Sequence, residues 1–174
     1  EEYEYLEKLI SLDVWSKNYC FQLENAEGNG NIPARYQDKF QNGSYDLVLI
    51  FCDTDKKPYE QYVDIKRKIS EFHGVENAAD HVVIYGNPCT MQIIIEHWDD
   101  VVLGSHKKKK NAPIIFNLTG IEGYKGRADQ RQELFSRITK ENYQEMQERI
   151  KCLPSDDEVE GSTNFGKFIE YFSM

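Results

Sequence analysis

Tyr45-Asp46-Leu47-Val48-Leu49-Ile50-Phe51-Cys52 is the strongest apolar run in the chain, and Asp53-Thr54-Asp55 ends it. The run is continuous rather than alternating, the pattern of a parallel strand covered on both faces. Pro58 follows, at a position where a helix loses nothing by the missing N–H. Tyr62, Ile65, Ile69 and Phe72 then recur at steps of three and four before Gly74, which predicts an amphipathic helix with a glycine stop. His81-Val82-Val83-Ile84-Tyr85-Gly86 reads as a second buried strand. Two strands joined by a helix of roughly 16 residues make a βαβ unit, right-handed by default. Asn87-Pro88 opens a further expected helix, with Met91, Ile94, Ile95 and Trp98 for packing.

Outward from this unit the pattern stays regular. Residues 3–13 place Tyr5, Leu6, Leu9, Ile10 and Leu12 at helical spacing, and residues 19–23 read as a short strand. Residues 24–33, with Gly28, Gly30 and Pro33, read as a loop, and 34–41 as a short helix. On the C-terminal side, His106-Lys107-Lys108-Lys109-Lys110-Asn111 is a polar, basic loop by composition. Residues 128–138 and 141–152 predict helices, striped by Leu134, Phe135 and Ile138 and by Tyr143, Met146, Ile150 and Leu153. After a break at 154–158, Ser162-Thr163 can cap a last helix with Phe165, Phe168, Ile169 and Phe172 on its apolar face. The expected class is α/β, with a core over 1–104 and a helical extension over 105–174 packed on it.

Composition narrows the function classes. With 174 residues the chain suits one domain. Lys plus Arg number 21 against 30 Asp plus Glu, a net charge of −9 that excludes a basic coat gripping nucleic acid by bulk electrostatics. A local nucleic-acid site stays open. Cys20, Cys52, Cys89 and Cys152 form no C-x-x-C pair, which disfavours a zinc ribbon or a dithiol redox motif. Cys52 inside an apolar run suits a reduced thiol, so a cytoplasmic location is expected. No apolar run is long enough for a membrane span, and no signal peptide is recognisable. The helical pattern begins at once after Glu1, with no initiating Met, so residues upstream of it are expected.

Asp53 and Asp55 are the sharpest chemical feature. If the strand runs through them, both carboxylates share one face. Paired carboxylates repel, and a divalent cation such as Mg²⁺ or Mn²⁺ relieves that cost. The carboxyl end of a parallel strand is also where open α/β sheets bind ligands. The plainer reading makes them turn residues before Pro58. A D-x-D strand end occurs in haloacid-dehalogenase phosphatases, disfavoured here by Lys56-Lys57, and in glycosyltransferases, for which the chain is too short. In Gly86-Asn87-Pro88-Cys89, Asn87 can orient a phosphate or water at a helix start, or simply cap the helix. Cys89 lacks an identifiable His partner. His97 and Trp98 are read as structural. Lys107, Lys108, Lys109 and Lys110 either contact a phosphate backbone or form a solvated loop, with Arg127 and Arg131 as lesser additions. Gly28-Asn29-Gly30 is not a dinucleotide fingerprint, and no Walker A sequence is present.

Taken together and in order, Asp46 with Phe51-Cys52-Asp53-Thr54-Asp55, Gly86-Asn87-Pro88-Cys89, His97-Trp98, and Gly161-Ser162-Thr163-Asn164-Phe165 with Lys167-Phe168 resemble the RloB-like family. The resemblance implies a Toprim-like, mostly parallel sheet flanked by helices and related to OLD-type nucleases. It also implies phosphodiester cleavage with the metal held by Asp53 and Asp55, and a partner ATPase of AbiL or RloA type in anti-phage defence. A catalytic Glu on a first strand would lie just before Glu1, with Glu1 or Glu2 near the second acid of that motif. The chain departs from the family at Met91, where an acid is usual. Three functions therefore compete: a metal-dependent nuclease, a degenerate non-catalytic subunit that regulates a partner ATPase, and a small-molecule phosphatase.

Overall fold

In a computed structural model, residues 1–173 are described. Among them are nine α-helices and two strands in the order α1 (Glu2–Ser11), α2 (Ile32–Asn42), β1 (Ile50–Asp53), α3 (Glu60–His73), α4 (Ala79–Val82), β2 (Val83–Gly86), α5 (Met91–Ile95), α6 (Lys108–Thr119), α7 (Ala128–Ser136), α8 (Lys140–Ile150) and α9 (Phe165–Ser173). The strands pair in parallel, Ile50 opposite Val83 and Asp53 opposite Gly86. Helix α3 crosses between them, so the βαβ unit read from the sequence is present. Gly74 ends α3 at a φ of 64°, the left-handed conformation that glycine adopts without strain.

Side chains alternate across this two-stranded sheet into two apolar clusters. Ile50, Cys52, Val83 and Tyr85 face one, with Ile32 and Tyr36 of α2 and Tyr62, Ile65 and Ile69 of α3. Ile84 and Phe51 face the larger one, with Tyr5 and Leu9 of α1, Ile93 and Ile94 of α5, and residues of α6 to α9. Both faces are thus covered, which is why the strands carry unbroken apolar runs. The larger cluster joins residues of α6 to α9 to α1, α5 and the sheet in one core. No helix among the described residues is long and apolar enough to cross a membrane.

The outer edge of β2 is closed by side chains. Asn164 accepts from the Tyr85 N–H at 3.0 Å and donates to the Val83 carbonyl at 2.8 Å. The Thr163 hydroxyl donates to the Tyr85 carbonyl at 2.6 Å and accepts from the Phe165 N–H, so one residue seals the sheet edge and caps α9. Buried backbone groups need such partners.

Five expectations change. Residues 45–49 and 19–23 are not strands, because neither segment has a neighbouring strand to pair with. Val82 belongs to the short α4 rather than to β2. The helix after Pro88 is only α5, whose end tightens into bonds three residues back, His97 to Ile94 and Trp98 to Ile95. Lys108 to Lys110 open α6 rather than forming a loop, because Ala112, Ile115 and Leu118 further along that segment pack on the larger cluster.

Candidate functional site

The site gathers where β1 ends. Asp53 is its last residue, and its Oδ1 accepts two hydrogen bonds from Thr90, one from the N–H and one from the hydroxyl, both 2.6 Å. The strand stops there, so the two-residue period does not carry on to Asp55. Asp55 instead turns at a φ of 62°, which Asp tolerates, with its N–H donating to the Pro88 carbonyl at 3.0 Å. Its Oδ2 accepts from Asn29 Nδ2 at 3.3 Å. Glu2, in the first turn of α1, brings a third carboxylate close enough to act on both aspartates.

Burial pushes the Asp53 carboxyl up to about 8, and the Glu2 carboxylate pushes further; the two Thr90 hydrogen bonds oppose this and Asp55 adds a smaller push. Asp55 is raised as well, first by burial, with His106 pulling it down. Glu2 thus disfavours charge on both aspartates, which are already disfavoured by burial. A cavity of about 580 Å³ opens beside them, lined by Glu1, Glu2, Asn29, Arg35, Tyr36 and the two aspartates among others.

A hard cation of the Mg²⁺ class takes one or two carboxylates and keeps several waters. The donor set meets that requirement: Thr90 occupies Asp53 Oδ1, while Oδ2 accepts no hydrogen bond among the described residues. No three His, Cys, Asp or Glu side chains among the described residues stand close enough to enclose an ion by themselves. The free Asp53 oxygen suits a water-rich ion, and the described residues form no closed structural metal cage.

The other expected residues fall in different places. Asn87 is fully buried, and its Nδ2 is spent on the Asp157 carbonyl at 2.7 Å, the Val159 carbonyl at 3.0 Å and the Tyr59 hydroxyl at 3.2 Å. It fastens the 157–161 loop to the end of β2, and its Oδ1 is buried without a partner. Lys108 pairs with Glu1 at the cavity wall. Lys107, Lys109 and Lys110 are exposed and make no ion pair among the described residues. Arg131 pairs with Glu4, and Arg127 with Asp129 at 3.3 Å. Met91 is buried in the larger core.

His97 Nδ1 faces the Asn142 Oδ1 at 3.3 Å, and Nε2 faces the Tyr5 hydroxyl at 3.0 Å. Since Asn142 Oδ1 only accepts, Nδ1 carries the proton and Nε2 accepts from Tyr5. Burial lowers this imidazole to about 4. Both buried thiols, Cys52 and Cys89, are raised above the ordinary range by burial, the reverse of an activated nucleophile. Sequence reasoning missed Thr90, Asn29 and His106 as neighbours of the aspartates. Thr90 alone carried a local signal, as a hydroxyl placed after Asn87-Pro88-Cys89 at a helix start.

A scan against protein-family models, a search of curated proteins and a search of solved structures each found no match to this chain.

Proposed function

We propose that this chain is a Toprim-like, metal-dependent phosphodiesterase domain that cleaves nucleic acid, of the kind its RloB-like motifs imply, acting in the cytoplasm within anti-phage defence. The observation that carries the reading is the carboxylate of Asp53, fixed by Thr90 at the carboxyl end of a parallel strand, with Asp55 and Glu2 beside it. Asp53 and Asp55 would hold Mg²⁺ or Mn²⁺. When bound, that ion supplies charge for a phosphodiester oxygen and acidity to a water. Thr90, by holding Oδ1, keeps Asp53 in one orientation. Asn29 does the same for Asp55. Lys108 and its exposed neighbours Lys107, Lys109 and Lys110 offer positive charge to a phosphate backbone near the Glu1 wall of the cavity.

The test is calorimetric titration of Mg²⁺ and Mn²⁺ into the wild type and an Asp53→Asn, Asp55→Asn double variant, followed by cleavage assays on DNA and RNA. Binding lost in the variant together with metal-dependent cleavage by the wild type supports the reading. Cleavage that survives the double substitution overturns it.

A second reading has its own observation: Met91, at the position where the family carries an acid, lies in the apolar core, and no three ligand groups among the described residues enclose an ion. A degenerate subunit that binds and regulates an AbiL- or RloA-type ATPase fits that deficit. It expects no metal binding, with copurification of the ATPase unaffected by Asp53→Asn.

A further inference from the structure

We propose that the turn from Gly86 to Thr90 is a lever between the 157–161 loop and the two aspartates. Asn87 and Asp157 are then positioning residues: the seating of the loop sets the placement of the Asp53 and Asp55 carboxylates, and with it their affinity for a cation. The part that concerns affinity rests on the metal reading given above.

Residues of this turn bond by turns to one side and to the other. The Gly86 carbonyl accepts from the N–H of Thr54, between the aspartates, at 3.2 Å. Asn87 holds the loop through its backbone as well as its side chain: its N–H donates to the Ser162 carbonyl at 3.0 Å, and its carbonyl accepts from the Gly161 N–H at 3.1 Å. Its Nδ2 donates to the Asp157 and Val159 carbonyls. The Pro88 carbonyl then accepts from the Asp55 N–H, and Thr90 donates twice to Asp53 Oδ1. One short segment thus fixes both aspartates and the loop.

The two sides lie on opposite faces of the sheet. Phe51 packs on the larger cluster, and Asp53, two residues further along β1, shares its face. Asn87 instead meets the hydroxyl of Tyr59, which belongs to the smaller cluster. Among the described residues no hydrogen bond or ion pair joins the loop to either aspartate, so the turn is the connection that the bonds trace. The turn is also stiff. All its residues from Gly86 to Thr90 are buried. A Cβ on Gly86 would stand 2.8 Å from the Cys89 carbonyl oxygen and 3.0 Å from the Thr90 Cα, so the chain folds back on itself without slack. Interiors packed this closely transmit displacement.

The far end of the lever is held by charge. Asp157 Oδ2 accepts from the Tyr62 hydroxyl at 2.9 Å and from Lys66 Nζ at 2.7 Å, both on α3. Lys66 is shared with Asp80 at 3.0 Å, and the Lys66 and Asp157 side chains both stay partly open to solvent. The loop therefore has an anchor that can be loosened without entering the core. Packing alone does not account for the junction. Asn87 Oδ1 and Thr54 Oγ1 are buried there without hydrogen-bond partners among the described residues. Such groups lower stability, and a fold selected only to be stable would place apolar atoms in their stead.

The experiment uses Asp157→Ala, which removes the α3 anchor and touches neither aspartate. In the metal-free protein, the amide NMR signals of Thr90 and Asp55 each report one bond of the site, to Asp53 Oδ1 and to the Pro88 carbonyl. Both are expected to shift and to exchange faster with solvent in the variant, while the amides of α7 keep their positions. Mn²⁺ titrated calorimetrically is expected to bind the folded variant roughly three- to thirtyfold more weakly than the wild type. A merely structural role for Asp157 would lower Tm and leave the affinity of the folded protein intact. Lys66→Gln, which removes only the charge on the anchor, is expected to move both signals and the affinity in the same direction, and it decides if Asp157→Ala does not fold. Thr90 and Asp55 signals that stay in place overturn the proposal, and so does an unchanged affinity where the wild type binds Mn²⁺. A wild type that binds no Mn²⁺ defeats the metal reading by itself, and the two amide signals then uphold or overturn the lever.

Discussion

Replacing Asn164 by Ala removes two of the hydrogen bonds that close the outer β2 edge. The Tyr85 N–H loses an acceptor at 3.0 Å and the Val83 carbonyl loses a donor at 2.8 Å. Both residues are almost fully buried, so water does not substitute readily. An orphaned buried backbone group costs about 1–3 kcal/mol, so the pair is worth about 2–4 kcal/mol, the lower part of the simple sum because some relaxation follows. For a chain of this size that lowers Tm by roughly 4 to 16 °C. Urea unfolding is the assay, with an unchanged slope as the sign that compactness is kept. Asn164→Asp keeps an acceptor for Tyr85 but sets a carboxylate against the Val83 carbonyl, and is expected to lose at least as much at pH 7. A loss below about 0.5 kcal/mol for Asn164→Ala would refute the idea that this side chain closes the sheet edge.

Three further outcomes are expected. Glu96 is buried, with Oε1 accepting from Gln92 Nε2 at 2.7 Å and Oε2 unpartnered; burial, with Asp100 and Asp99 adding to it, raises its carboxyl to about 7 despite Gln92 and Arg149. The fold then holds a proton that the unfolded chain releases near 4.5, so stability falls as pH climbs from there to about 7, and Glu96→Gln removes that part of the fall in denaturation curves taken across the window. Asn87→Ala frees the 157–161 loop from three hydrogen bonds, and limited proteolysis within that loop is expected to quicken with a stability loss of about 1–3 kcal/mol. A thiol reagent on the native protein should modify exposed Cys20 and Cys152 rapidly and leave Cys52 and Cys89 until unfolding; four equally fast thiols would contradict the burial of the latter two.

What the sequence made legible follows from the range of the interactions. The helix between Pro58 and Gly74, the central parts of the two buried strands and Asp53 at the end of the first are set by local period and local punctuation, and those appear within the expected segments. Asn164 carried no such signal. Its partners lie 79 and 81 residues away, and only the completed fold shows that an amide side chain stands in for a strand. Glu2 and Thr90 converge on Asp53 from two separate elements, which no spacing rule encodes. The lysine run misleads for a related reason: its charge speaks for a loop, while the apolar stripe that makes the segment helical begins only at Ala112. Residues 19–23 and 45–49 show the reverse case. Their local pattern is that of strands, and pairing, which is never local, is missing.

Asp53 itself offers the sharpest division between packing and function. Thr90 asks only for an acceptor, and the Oδ1 of an Asn would take both of its hydrogen bonds without adding charge. The acid is therefore unfavourable to the fold alone: its carboxyl stands at about 8 in the folded chain against 3.8 ordinarily, so the metal-free protein loses stability as pH rises through that interval. Asp53→Asn escapes the loss, and in a chelator at pH 9 it is expected to unfold at a higher temperature than the wild type. Adding Mn²⁺ should reverse the order, because a ligand that binds only the folded wild type stabilises it by mass action. A variant less stable than the wild type in chelator would mean that the carboxylate serves packing. A wild type that Mn²⁺ leaves unmoved would remove the cation as the reason for keeping an acid where an amide suffices.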